Sequence, residues 1–444
     1  MDKAFITSLK SSGIKFIRIL WCDNANIIRG KAIHIDTLED NMAHGVGISA
    51  AQQAIPVMYD AVVPGAGLGP VGEVRLVPDW SSFNTLPYAP SHARVMSDMK
   101  QKGKNWPYCS RLFLKKMIAE AEKEGIEIKT AFENEFYLLK TGTDEIIPAD
   151  YTVFASTQSM DIHQHIINEI TENLIAQGMV IEQYYPESGP GQQEITTKYT
   201  DPLKAADNQI AFRETVRAVA SHNGLKASFL PKIFLDKAGS GCHIHLSLWK
   251  NGKNLVPNSR ESCGLSKTAK SFIAGLLHHM PALMAITTPS TNSYRRIKPH
   301  YWSGAFRCWG MDNREAAVRV ITDPETNSYK QFEFKPSDAT ANPYLALGAV
   351  IAAGLDGIRQ KMDIPEPVNV DPGNLSEEER KAAGIDKLPA DLGSALEYLT
   401  ANRILLNALG AELSGAYLAV RRSEWENMSR YELADEVELL MEKY

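Results

Sequence analysis

Residues 131–139 read AFENEFYLL, and their alternation decides how the chain folds. Successive side chains of an extended strand point to opposite faces, so Phe132 and Phe136 share one face and Glu133 and Glu135 the other. One face packs, and the other holds two carboxylates side by side. Residues 241–249, GCHIHLSLW, repeat the pattern with Ile244, Leu246 and Leu248 against His243, His245 and Ser247. Residues 329–336, YKQFEFKP, set Phe332 and Phe334 against Gln331, Glu333 and Lys335. The stretch PESGPGQQEITTKY, 186–199, supplies Glu187 from a Gly/Pro turn and Glu194 from the strand after it.

One such strand is what a half-solvated antiparallel strand looks like. Four together point further. Five carboxylates (Glu133, Glu135, Glu187, Glu194, Glu333) and His243 gathered in one cavity would repel unless cations neutralised them. An oxygen-rich ligand set suits Mg²⁺ or Mn²⁺ better than zinc. A second constellation is basic: Arg295, Arg296, Lys298, Arg307, Arg314 and Arg319 lie between residues 292 and 320, interleaved with Tyr294, Tyr301, Trp302, Phe306 and Trp309. Charge runs are ordinarily solvated faces, but the aromatic interleaving argues against simple exposure. Guanidinium groups beside a divalent-cation cavity suit the oxygens of triphosphates and carboxylates. No G-x-x-x-x-G-K-[ST] loop occurs, and GAGLG at 65–69 lacks a strand-to-helix context and reads as a loop.

Working outward, 444 residues exceed one core of ordinary size and predict two domains, divided at 1–104 and 105–444. The first hundred residues read as β-rich: KFIRILWCD at 15–23 as a strand, NANIIRGKAI as a turn and its continuation, GEVRLVPD at 72–79 as a short strand, and 56–72 as a long loop. Ser110 is the expected N-cap of a helix that stops at Gly125, and a second helix is expected from about Asp201 to His222 before Gly224. The last fifty residues read as largely helical. With 23% charged residues, 44% hydrophobic ones and a net charge of −6, a general polyanion-binding surface is excluded and no nucleic-acid partner is expected. No run of eighteen apolar residues exists and the opening segment lacks a signal peptide's pattern, so neither a membrane span nor secretion is expected, and the location is cytoplasmic. Five scattered cysteines without a C-x-x-C pair fit reduced thiols, and none is assigned a role.

The segments ENEFYLL (133–139), ESGPGQQE (187–194), GSGCHIHLSL (239–248), NSYRRIKPHY (292–301), NREAAVRV (313–320) and FEFKPSDATANPYL (332–345) resemble, in order and spacing, the glutamine synthetase family. RILWCDNANIIRGKAI (18–33) resembles the family's N-terminal β-grasp strands. The resemblance implies an α+β chain: a small N-terminal β-grasp domain and a large catalytic domain whose antiparallel sheet, flanked by helices, forms an active-site funnel. It implies a homo-oligomer of stacked rings, twelve subunits by analogy, with each site completed by a neighbour's N-terminal domain. It further implies ATP and Mg²⁺ (or Mn²⁺) as cofactors, with Glu135, Glu187 and Glu194 on the cation near glutamate and Glu133, His243 and Glu333 on the cation at the ATP phosphates. His245, Ser247 and Tyr199 match nucleotide-contacting positions, Arg314 and Arg319 phosphate-handling arginines, and Arg296 and Gly239 glutamate-binding positions. The implied reaction activates the glutamate γ-carboxylate as an acyl phosphate, which an amine then attacks.

Five departures bear on the acceptor and the acid. The flap glutamate of ammonia-using members falls at Trp302, and their N-terminal aspartate has no counterpart in GVGISAAQQAIP, 45–56. Gln331 and Lys335 stand at positions usually arginine, and Ala238 replaces an asparagine before Gly239. Lysine lacks arginine's planar fork, so the acid substrate is held differently or differs from glutamate. Ammonium needs anionic partners to offset its lost hydration, whereas an indole favours an alkylammonium. The expected acceptor is therefore an organic amine, as in the family's γ-glutamyl-polyamine, -ethanolamine and -methylamine ligases. The alternatives are ammonia, bound by Tyr151 and Glu187, or a retired ligase kept for structure or regulation. A metal-dependent hydrolase or nucleotide-binding regulator would not need the arginine cluster.

Overall fold

The computed structural model describes residues 3–142 and 145–444, the Ser262 side chain excepted; Met1 and Asp2 of the opening segment lie outside the described residues. Six strands build the first sheet: Phe16–Cys22 (β1), Ile28–His34 (β2), Val46–Ser49 (β3), Glu73–Thr85 (β4), His92–Gln101 (β5) and Lys104–Asn105 (β6). Their order is β2-β1-β5-β4-β3 with β6 on β5; β1 and β5 run parallel and the other pairs antiparallel. The strand expected to be short at 72–79 is a thirteen-residue one, because its alternation continues beyond Asp79 through a bulge. Ile17, Ile19, Val74, Leu76 and Val95 form this unit's core, which also takes in Trp106 and Cys109.

Ten further strands form a second sheet: Glu127–Lys140 (β7), Ile181–Pro186 (β8), Gln192–Thr197 (β9), Leu225–Ser228 (β10), Cys242–Lys250 (β11), Lys253–Asn254 (β12), Phe306–Met311 (β13), Ala316–Asp323 (β14), Ser328–Phe334 (β15) and Asp386–Lys387 (β16). The order is β16-β13-β14-β15-β11-β7-β9-β8, with β10 on β7 and β12 on β11. The sheet is antiparallel except for one pair, since β13 and β14 run parallel. Register matters more than order here. Arg319 lies opposite Glu333, Glu333 opposite His245, His243 opposite Glu133, Glu135 opposite Glu194, and Glu194 opposite Tyr185. Directly opposed residues of an antiparallel pair share a face, so these polar side chains cross the sheet as one band.

The other face is apolar. Phe332 packs on Phe272 with ring centroids 5.6 Å apart, and Phe136 on Phe229 at 5.5 Å. Phe272 belongs to the helix Lys267–Thr287, which packs with Ser110–Lys123, Pro202–His222 and Pro343–Gln360 beneath the sheet. Two of these helices were expected from the sequence, and a third shows the clearest side-chain cap. Asp201 is the N-cap of the second, as expected, and Gly224 follows it at φ +69°. The first is capped at Cys109, not Ser110: the Ser110 hydroxyl is turned to the Cys22 carbonyl at 3.5 Å and sits inside the helix. The last has Asn342 as its cap, with the side-chain oxygen accepting from the N–H groups of Tyr344 and Leu345 and Pro343 in the first turn.

Arg111 ties the first sheet to the helices beneath the second. Its guanidinium donates to Asp79 and Asp98 of the first sheet (both 2.8 Å) and to Asp207 of the helix Pro202–His222 (3.0 and 2.9 Å). All five cysteines are unpaired thiols. Among the described residues, no helix is long and apolar enough to cross a membrane.

Candidate active site

The band of polar side chains is closed rather than half-solvated: Glu135 is 9% exposed, His243 4%, Glu194 2% and Glu333 not at all. At the Tyr185 end of the band the loops at 150–156 and 297–305 meet through Phe154, which touches both Tyr185 and Trp302, and Ala155 donates to the Pro186 carbonyl. His243 Nδ1 stands 2.9 Å from Glu133 Oε1 and 3.0 Å from Glu333 Oε1. His245 Nε2 is 3.0 Å from Glu133 Oε2. Glu333 also meets Arg319 Nε at 2.7 Å and Lys335 Nζ at 3.3 Å. Glu135 accepts from the Gly241 N–H (3.0 Å) and the Gln192 amide (3.3 Å), and Tyr185 lies opposite Glu194 across the β8–β9 pair.

Whether a divalent cation suits this cluster is answered by its donors. Ligand atoms of Glu133, Glu135 and His243 lie within 4.8 Å of one another, as do those of Glu133, His245 and Glu333. His243 Nε2 is buried with no hydrogen-bond partner and lies 3.9 Å from Glu135 Oε1, an arrangement a cation between them would satisfy. These groupings put His245, a nucleotide-contacting position by resemblance, among the candidate ligands, and they leave Glu187 and Glu194 to one side. The charges are already uneven. Burial pushes Glu133 and Glu333 up, but hydrogen bonds from His243 and His245 to Glu133, and Lys335, His243 and Arg319 beside Glu333, hold both well below the usual carboxylate range. At the other end burial, then the charge of Glu135, raises Glu187 to about 7. Burial, then the charges of Glu133 and Glu135, raises Glu194 to about 10.

Beside the cluster a cleft of about 490 Å³ is lined by Glu133, Tyr199, His245, Ser247, Trp249 and Gln331, among others. Tyr199 and Trp249 stack at 6.3 Å, and the Trp249 indole N–H donates to Ser247 Oγ at 2.8 Å. Trp249 is absent from the sequence-based set although it continues the strand that carries His243, His245 and Ser247, and that period-two continuation was the signal for it.

Arg296 is buried, donating to the Lys335 and Ser337 carbonyls at 3.2 and 2.9 Å. Gly239 is obligatory in shape: a Cβ there would come 2.4 Å from the Pro231 carbonyl and 2.6 Å from Arg296 Cγ. Lys335 does not stand free for a substrate carboxylate but pairs with Glu333. Arg314 is exposed on the turn between β13 and β14 and makes no polar contact among the described residues. Tyr151 is exposed likewise. Trp302 sits on the 297–305 flap with its ring 6.4 Å from Phe154, edge to face, and its backbone N–H donates to Glu315 at 2.9 Å. Glu315 also went unread in the sequence, since nothing in NREAAVRV marks which residue turns under a loop.

The family model described as the glutamine synthetase catalytic domain matches residues 107–440, and the one described as the glutamine synthetase N-terminal domain matches 4–106. The chain is 37% identical to type-1 glutamine synthetase 1 of Dictyostelium discoideum, over 99% of this chain and 91% of that protein. It is 35% identical to gamma-glutamylpolyamine synthetase GlnA3 of Streptomyces coelicolor, over 94% and 91%. Among solved structures, a GmaS/ADP complex superposes with a TM-score of 0.86 at 28% identity, covering 98% of this chain and 99% of that one.

Proposed function

The chain belongs to the glutamine synthetase family of ATP-dependent amide-forming ligases, and from that premise we propose that it joins the γ-carboxylate of glutamate to a primary organic amine. One observation carries the choice of acceptor: Trp302, not a carboxylate, occupies the flap and turns its ring onto Phe154. In this reading Glu133, Glu135, Glu187, Glu194, His243 and Glu333 hold Mg²⁺ or Mn²⁺, which when bound neutralises the phosphate oxygens and polarises the transferring phosphoryl group. Tyr199, Trp249 and Ser247 hold the nucleotide in the adjoining cleft. Arg296, with Gly239 allowing close approach, orients the acid, and Lys335, paired with Glu333, adds positive charge beside it.

The γ-carboxylate oxygen attacks the terminal phosphorus of ATP, ADP leaves, and an acyl phosphate forms, with Arg314 and Arg319 offsetting charge on the phosphoryl oxygens. The amine nitrogen then adds to the acyl carbon, loses a proton to Glu187, and phosphate departs from the tetrahedral intermediate. Trp302 and Tyr151 enclose the amine. We further assign the protein to stacked rings, with a domain over 1–104 completing a neighbouring site in 105–444.

Ammonia is the competing acceptor, favoured by relatives whose names are glutamine synthetase. The test is phosphate release with ATP, Mg²⁺ and glutamate across a panel of amines and ammonium. The expected ratio of kcat/KM, best amine over ammonium, is above about 100, and Trp302→Glu lowers it by restoring an anionic partner. Turnover with ammonium equal to or above every amine would overturn the proposal.

A further inference from the structure

Three aromatic rings lead from the carboxyl cluster to the surface. Tyr185 lies opposite Glu194 across the β8–β9 pair and two residues before Glu187. Phe154 stands edge-on to Tyr185 with centroids 6.0 Å apart, and Trp302 edge-on to Phe154 at 6.4 Å, interplanar 89°. Phe154 and Trp302 are 46% and 51% exposed, and Val153 is 73% exposed, so the strip presents apolar surface to solvent within two ring contacts of Tyr185.

The backbone holds this strip in place. The N–H of Ala155 donates to the Pro186 carbonyl at 3.0 Å, which fastens the Phe154 loop to the residue before Glu187. At its other end Asp150 accepts from Thr152 N–H (2.7 Å) and Ser159 Oγ (3.0 Å) and meets His163 Nε2 at 2.6 Å. Ala155 (φ +54°), His300 (φ +65°) and Trp302 (φ +54°) all take the left-handed conformation that non-glycine residues rarely adopt. Two segments far apart in sequence thus accept strain where they bring Phe154 and Trp302 into contact.

We propose that the strip Tyr185–Phe154–Trp302 is the specificity wall of the acceptor subsite and selects a primary monoamine with an apolar alkyl or aralkyl tail. This rests on the reading that the acceptor is an organic amine. The reacting nitrogen lies toward Glu187, and the tail runs outward over Phe154 and Trp302, losing water at each methylene. A second ammonium would meet the wrong charges. Lys298 is exposed on the flap, and the buried Lys232 ammonium lies 5.0 Å from the ring of Tyr301, next to Trp302. The carboxylates in that region are engaged: Asp236 with Lys237 at 2.8 Å, Asp371 with His300 at 2.9 Å, and Glu315 beneath the flap.

The experiment is kcat/KM for methyl-, ethyl-, propyl- and butylamine, benzylamine, ethanolamine, putrescine, spermidine and ammonium, at saturating ATP and glutamate. We expect an increase of about fourfold per methylene, propylamine above ethanolamine, and butylamine at least about tenfold above putrescine. Phe154→Ala should reduce the increment below about twofold per methylene while the KM for ATP stays within about twofold, and Phe154→Leu should restore part of it. Ammonium matching the best amine would overturn the acceptor reading itself. Amines that beat ammonium without a chain-length trend, a trend untouched by Phe154→Ala, or putrescine above butylamine would overturn the wall and leave that reading standing.

Discussion

At Gly241 a hydrogen stands where any other residue would put a carbon 2.5 Å from His243 Nε2 and 3.1 Å from Glu135 Oε1. Its backbone is not left-handed, so alanine is tolerated by the chain and not by the cluster. Gly241→Ala should therefore weaken Mg²⁺ binding by about 10- to 100-fold with little change in melting temperature, measured by titrating ATP cleavage with Mg²⁺. The carboxyls beside it make a second prediction. Glu187 and Glu194, raised to about 7 and about 10, retain protons at neutral pH in chelator-treated protein. A cation must displace those protons, so Mg²⁺ affinity should rise from pH 6 to pH 9 and binding should release protons. Calorimetry in two buffers of different ionisation enthalpy reads the release, and equal apparent heats would contradict it. The stability of the chelated protein moves the other way. Between about pH 4.5 and 7 the unfolded state has already lost the Glu187 proton that the folded state keeps, so stability falls as pH rises, and Mg²⁺ should reverse the fall.

Among the elements, the flap 297–305 rests at Trp302 on a buried carboxyl, beside the His300–Asp371 pair. Glu315 accepts from the Trp302 N–H, and burial raises its pKa. Glu315→Ala leaves that N–H without its partner, at a cost of about 1 to 3 kcal/mol concentrated on the flap. The expected outcome is a fall of about tenfold in kcat/KM for the amine, unchanged KM for ATP, and faster hydrogen exchange over 297–305. A loss shared equally by ATP and amine would instead mark Glu315 as a general structural residue. The strands behave differently, because their register brings Glu333 against Arg319 and Lys335. Glu333→Ala leaves two buried cations unpaired and should abolish ATP cleavage and lower the melting temperature together.

In the whole molecule, Arg111 joins acids of the first sheet to an acid of the helix Pro202–His222. Removing it leaves Asp207, among the described residues, with the Tyr344 hydroxyl at 2.7 Å as its hydrogen-bond partner, whereas Asp79 and Asp98 retain Lys115. Arg111→Ala should cost about 3 to 5 kcal/mol in urea unfolding. A change below about 1 kcal/mol would mean the sheets are joined by packing alone. The proposed rings are tested by light scattering, where a monomer at micromolar concentration would refute them.

Much of this was legible in the chain itself. Period-two alternation at 131–139, 241–249 and 329–336 specifies strands with one apolar and one ligand-bearing face, because a strand offers side chains only two directions. The same pattern named Glu133, Glu135 and Glu333, a Gly/Pro turn and the strand after it named Glu187 and Glu194, and the helix of 202–222 was bounded by Asp201 and Gly224. What alternation cannot express is register and covering. That Glu333 faces His245, that β13 runs parallel to β14, and that Ser110 turns to Cys22 instead of capping its helix depend on partners in other elements, 88 residues away for Glu333 and for Ser110. Phe154, Tyr185 and Trp302 come from three segments with no common period, and only the meeting of two strained loops at the Tyr185 end of the band brings their rings together. Local sequence determines which way a side chain points; which side chain it meets is decided by long-range packing, whose free energy belongs to no single segment.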